Sequence, residues 1–180
     1  ALLRKHVVLL RGGQASQVRY AGFAADRAAL GAYLQTLSGV GAAAFGGFSK
    51  ARQQAFLVNA YNAFTVELIL TKYPKLESIK DLGSVFQSPW KPKWVPLLGA
   101  KVSLDDIEHG VLRPRGEPRV HFALVCASLS CPDLRREPYR AETLEAQLDA
   151  QVRDFLANPG KGLARDAGRA RVSRIFDWFE

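Results

Sequence analysis

Methionine is absent from this 180-residue sequence, histidine occurs three times and cysteine only twice. The absence of methionine extends to position 1, which we read as the mark of a removed preceding segment, such as an export signal. Two cysteines and three dispersed histidines do not provide zinc-ligand spacing, so no metal is expected. The sequence holds no phosphate-binding loop or dinucleotide fingerprint, and no cofactor is expected. No run approaches the roughly 18 consecutive apolar residues that cross a bilayer. The opening ALLRKHVVLLRGG is too short and too interrupted by charge to be a spanning helix or an intact signal peptide.

Basic charge is plentiful. Lys and Arg number 25 against 17 Asp and Glu, a formal charge of +8. Such a surface attracts anionic partners when its charges cluster, but here they are scattered. The densest basic and aromatic stretch, SPWKPKWVP, carries Pro89, Pro92 and Pro96, which break helix and central strand, so it reads as a loop. Trp90 and Trp94 either stack on a base or sugar or pin the loop to the core; no nucleic-acid partner is expected. With 48% hydrophobic residues, the chain suits one domain over residues 1–180 with a real core.

The first ten residues read as a short amphipathic helix fraying into Gly12-Gly13, and SQVRYAGF as a weak strand. Leu30, Leu34 and Leu37 recur at helical spacing behind an Asp26 cap, and residues 39–48 form a Gly/Ala-rich connector. The strongest helix runs from a Ser49 cap to a stop at Pro74, apolar around most of its circumference from Phe56 to Leu70. Asn59 and Asn62 interrupt that apolar surface on one face, where they either tie down neighbouring loops or line a site. SLDDIEHGVLRP is a second helix, with Ser103 and Asp106 as a capping box and Pro114 as its end. EPRVHFALVC reads as a strand covered on both faces. A helix follows with Leu144, Leu148, Val152 and Phe155 on one side, then a strand in ARVSRIFDWFE that runs into an aromatic anchor. The fold class is α/β or α+β, a small sheet packed by helices.

Chemistry centres on VHFALVCASLSCP, residues 120–132. In a regular strand, His121 and Cys126 point to opposite faces, which leaves His121 as a core histidine. His109 is the better partner for the thiol. It occupies the last turn of the Ser103 helix, where the dipole favours an imidazolium and hence a nearby thiolate. Asp105 or Asp106 can orient its ring, whereas Glu108 points about 100° away and needs help from a different element to meet the His109 imidazole. The small residues after Cys126 let backbone N–H groups approach a substrate, and Ser128 and Ser130 offer further donors. Cys126 is then a nucleophile, a buried small hydrophobe, or half of a bond to Cys131 that closes a tiny loop.

Three segments in order, FLVNAYNAFTVELIL, SLDDIEHGVLR and HFALVCASLSCPDL, with SRIFDWF near the end, resemble the DUF547 family of bacterial and plant proteins. The resemblance implies a cysteine-peptidase-like site of Glu108, His109, Cys126 and Ser128. Because adjacent helix positions diverge, Asp105, Asn59 or Asn62 are the candidates to orient the ring or bind substrate in place of Glu108. It implies a papain- or transglutaminase-like fold and a periplasmic or otherwise exported protein. In plant-type relatives serine stands at the second cysteine position, which makes Cys131 the less essential thiol. The expected activity is a thiol-dependent hydrolase or acyl transferase on a peptide or small amide or thiol substrate. A non-catalytic envelope binding domain and a thiol-redox protein using Cys126 and Cys131 are the alternatives.

Overall fold

A single helix organises the molecule because its sequence leaves almost no face for water. In the computed structural model, which describes residues 1–10, 15–83, 88–128, 130–166 and 168–178, helix α5 spans Lys50–Leu70. The Ser49 hydroxyl caps it by accepting from the Arg52 amide at 3.3 Å. Eleven of its residues are buried, among them Leu57, Val58, Ala60 and Tyr61. Each large apolar side chain taken from water contributes roughly 1.5–3 kcal/mol, so this helix anchors the core. A charge at Leu57, which is fully buried, would break it.

The elements before it are short. Helix α1 (Leu2–His6) leads into the hairpin of β1 (Val7–Leu10) and β2 (Ala15–Val18). Helices α2 (Tyr20–Ala25), α3 (Arg27–Ser38) and α4 (Ala42–Gly46) follow, the last falling within the expected connector. Helix α3 lays Leu30, Leu34 and Leu37 into the core. Asp26 does not cap it with its side chain; its carboxylate instead meets Lys5 and His6 Nε2, each at 2.6 Å. The Gly12-Gly13 break lies outside the described residues.

A second antiparallel hairpin, β3 (Val95–Leu97) with β4 (Ala100–Val102), follows the proline-rich loop. Trp94 meets Phe64 of α5 edge-on with ring centroids 5.7 Å apart, and Trp90 also packs on the core. Both tryptophans thus pin the loop down. Helix α6 (Leu144–Ala157) buries Leu144, Leu148 and Phe155. The chain closes with a third hairpin, β5 (Leu163–Asp166) with β6 (Arg169–Val172), and helix α7 (Ile175–Trp178). The architecture is α+β, with three separate two-stranded hairpins among the described residues where one small sheet was expected.

The main correction concerns residues 118–126, which are not a strand. A 3₁₀ helix runs Pro118–Phe122. Glu117 starts it by accepting from the Arg119 amide at 3.0 Å. The Arg119 guanidinium also binds Glu117 and, from α6, Glu145 and Asp149. Short-range bonds continue through Ala123 N to Val120 O at 2.8 Å. Val120, Phe122, Ala123 and Leu124 are buried, and a short apolar run covered on every side has the composition of a strand whatever its backbone.

Candidate functional site

The capping box forms in both directions. The Ser103 amide donates to the Asp106 carboxylate and the Asp106 amide donates to the Ser103 hydroxyl, each at 2.9 Å. Beyond the box the chain winds into a π-helix over Asp106–Leu112, continued by a 3₁₀ turn over Arg113–Arg115. A π-turn advances each residue by less than the α-helical 100° and is frequent at functional sites. Even so, Glu108 and His109 face different surroundings, with side chains 16% and 44% exposed.

Glu108 points inward. The Tyr61 hydroxyl of α5 donates to its carboxylate, and His121 Nδ1 lies 4.0 Å from Glu108 Oε1. Burial raises the Glu108 carboxyl above the usual range, and the bond from Tyr61 and the nearness of His109 oppose that shift. Tyr61 is 2% exposed; burial, and then the Glu108 charge, lift its phenol well above the ordinary value. His121 is buried, and its pKa is pushed down to about 4, first by burial and then by Arg113 and His109. It is a neutral imidazole at pH 7. His109 faces outward, with its side chain 44% exposed, and its Nε2 lies 4.0 Å from Asp105 Oδ1.

These positions revise two expectations. Without a strand, alternation does not govern His121; it is buried, as expected of a core histidine, and its Nδ1 lies 4.0 Å from Glu108. The imidazole that a different element brings near Glu108 is His121, at 4.0 Å, where the expectation concerned His109. Sequence reasoning missed Tyr61 altogether. The signal lay in NAYN, where a phenol stands between two amides on the most buried helix of the chain.

Asn59 and Asn62 tie down backbone. Asn59 Nδ2 donates to the Tyr139 carbonyl at 2.8 Å and its Oδ1 accepts from the Tyr139 amide at 2.9 Å. Asn62 does the same for the segment before Cys126, donating to the Ala123 carbonyl and accepting from the Val125 amide, each at 2.9 Å. Cys126 is half-buried, and Ala127 after it has a φ of +56°. That left-handed turn is uncommon for a residue with a Cβ. Cys126 and Cys131 are bonded to each other, with Cα atoms 6.0 Å apart, so neither thiol is free. The Cys131 amide donates to the Ser128 carbonyl at 3.1 Å, and the exposed Ser128 and Ser130 hydroxyls share a hydrogen bond of 3.1 Å. Among the described residues, no group of three or more His, Cys, Asp or Glu side chains is arranged to hold a metal.

The 120–126 segment and the Asp106–Leu112 turn are therefore neighbours, approaching within 4.0 Å at His121 and Glu108, both backed by α5. A family model described as "Protein of unknown function, DUF547" matches residues 45–156. The chain belongs to this family. The DUF547 match covers α5, the π-turn and both cysteines, which are the parts that build the site, and it ends one residue before the end of α6. No curated protein and no solved structure matches the chain.

Proposed function

We propose that this DUF547 domain is a thiol-dependent hydrolase or acyl transferase on a peptide or amide bond, held inactive while Cys126 is bonded to Cys131. The observation that carries the reading is the Glu108–His121 contact of 4.0 Å. At that distance the Glu108–His109 turn lies beside the segment that ends in Cys126, a segment whose backbone Asn62 fixes.

An external dithiol supplies two electrons and two protons to open the bond, leaving two thiols and an oxidised reductant. His109 takes the Cys126 proton, and the thiolate attacks the substrate carbonyl carbon. The tetrahedral intermediate collapses as His109 returns the proton to the leaving amine, and water or an acceptor amine then releases the acyl group. Asp105 orients the His109 ring. Glu108, fixed by Tyr61, supplies negative charge beneath it. Ser128 and the turn at Ala127 hydrogen-bond the developing oxyanion.

The second reading, thiol–disulfide exchange, is favoured by the bond between Cys126 and Cys131 itself. Both readings suit an exported protein, because a disulfide persists in an oxidising compartment.

One experiment separates them. Reduced protein is alkylated with iodoacetamide across pH, in wild type and in His109→Ala, with and without Cys131→Ser. A hydrolase predicts Cys126 reacting faster than a model thiol near neutrality, the advantage surviving Cys131→Ser and disappearing with His109→Ala. Equal rates in all proteins would remove the mechanism. An advantage that needs Cys131 would favour exchange.

A further inference from the structure

Asn59 and Asn62 also line a cleft of about 980 Å³ between α3, α5, the N-terminal helix and residues 134–140. Neither Cys126 nor His109 lines it. Its volume lies at the upper end of the roughly 300–1,000 Å³ of ligand pockets. Its walls include Phe23, Leu30, Ala63 and Val66. Asn59 and Asn62 each already use one N–H and one oxygen lone pair on backbone. The inner cleft therefore offers contact area and few fresh hydrogen bonds, which suits an alkyl chain better than a peptide.

The rim is predominantly basic. Arg4, Arg136 and Arg140 line the cleft and are exposed. Arg136 is braced by donating from Nη2 to the Arg4 carbonyl at 2.8 Å, which holds two of these arginines beside each other. Among the described residues, Glu137 is the only acidic member of the lining. Its carboxylate is taken by Arg135 at 2.9 Å and by Gln147 at 3.3 Å, which hold its pKa below the usual value. An apolar interior under an arginine rim is complementary to a molecule with the opposite arrangement.

We infer that the cleft binds a single-chain amphiphile with an anionic head, of the long-chain carboxylate class, its alkyl chain against α3 and α5 and its head among Arg4, Arg136 and Arg140. The site is independent of the sulfur chemistry and would bind its ligand with Cys126 oxidised or reduced.

Calorimetry on the whole chain tests this with decanoate, decanol and decyltrimethylammonium, each below its micelle concentration, and with anionic phospholipid vesicles as a separate arm. Decanoate is expected to bind more tightly than decanol by about tenfold, the difference that one or two ionic contacts supply, with the cation weakest. The double variant Arg136→Glu, Arg140→Glu should invert the order of the two charged ligands. Ala29→Trp, at an exposed position of the lining, should weaken all three without touching the core. Equal affinity for the three heads, indifference to both variants, or binding to vesicles with none to the monomers would overturn the assignment.

Discussion

Asn62 and Val125 are joined across 63 positions of sequence by a hydrogen bond of 2.9 Å from the Val125 amide to the Asn62 side-chain oxygen. With the companion bond to the Ala123 carbonyl, one amide on α5 takes the place of the neighbouring strand that residues 123–125 lack. Replacing it with leucine keeps the branched shape and orphans both backbone groups. At roughly 1–3 kcal/mol for each buried group left unpaired, Asn62→Leu should cost about 2–6 kcal/mol in urea unfolding. Asn59→Leu should cost a similar amount through Tyr139. If the cysteine loop depends on the Asn62 clamp, only Asn62→Leu will alter the alkylation rate of reduced Cys126.

The carboxyl of Glu108 pays a desolvation penalty that its amide would not. Its folded pKa is raised, so the native state binds the extra proton and stability falls as pH rises from the ordinary carboxylate range through the shifted value. Glu108→Gln keeps an acceptor for the Tyr61 hydroxyl and removes that loss. The variant should be at least as stable as wild type at pH 8 in denaturant titrations, with the advantage shrinking on acidification. A substituted protein that is stable but inactive would give Glu108 a role in the reaction; one that is markedly destabilised at pH 8 would refute this account of the site.

His121 has the opposite sign. Its folded pKa of about 4 lies below the ordinary value of 6.5, so between these limits the unfolded chain binds more protons than the native one. Stability should therefore be complete above pH 6.5 and decline as pH falls towards 4. His121→Asn should flatten that segment of the stability profile. Imidazole proton resonances offer a direct check, since the His121 signal should not titrate between pH 7 and 5.

The helices were legible because periodicity and caps agree. Ser49 and Ser103 both cap as their sequences imply, and Leu30, Leu34 and Leu37 are buried as their spacing requires. The 118–126 segment was not legible, because its backbone partners are side chains remote in sequence. Nothing within VHFALVC announces that Asn62 will bind Ala123 and Val125, or that Arg119 will be anchored by α6. The His121–Glu108 contact was hidden by the same error, since strand alternation had already assigned His121 a direction. The π-turn was hidden as well; an apolar face at helical spacing does not distinguish it from an α-helix.

Opening the Cys126–Cys131 bond should change stability little and chemistry a great deal. The two cysteines are five positions apart, and closing so small a loop removes little entropy from the unfolded chain, about 2 kcal/mol in the chain-entropy account. Asn62 already holds the entry to the loop by two hydrogen bonds, so the reduced protein should retain its fold. Dithiothreitol treatment is thus expected to lower the urea midpoint modestly while far-ultraviolet circular dichroism stays unchanged, and Cys131→Ser should reproduce the shift without reductant. Mass spectrometry after alkylation would then count two accessible thiols in the reduced wild type and one in the variant. Global unfolding on reduction would make the bond a structural staple, and the sulfur could not then be released for catalysis without losing the site around it.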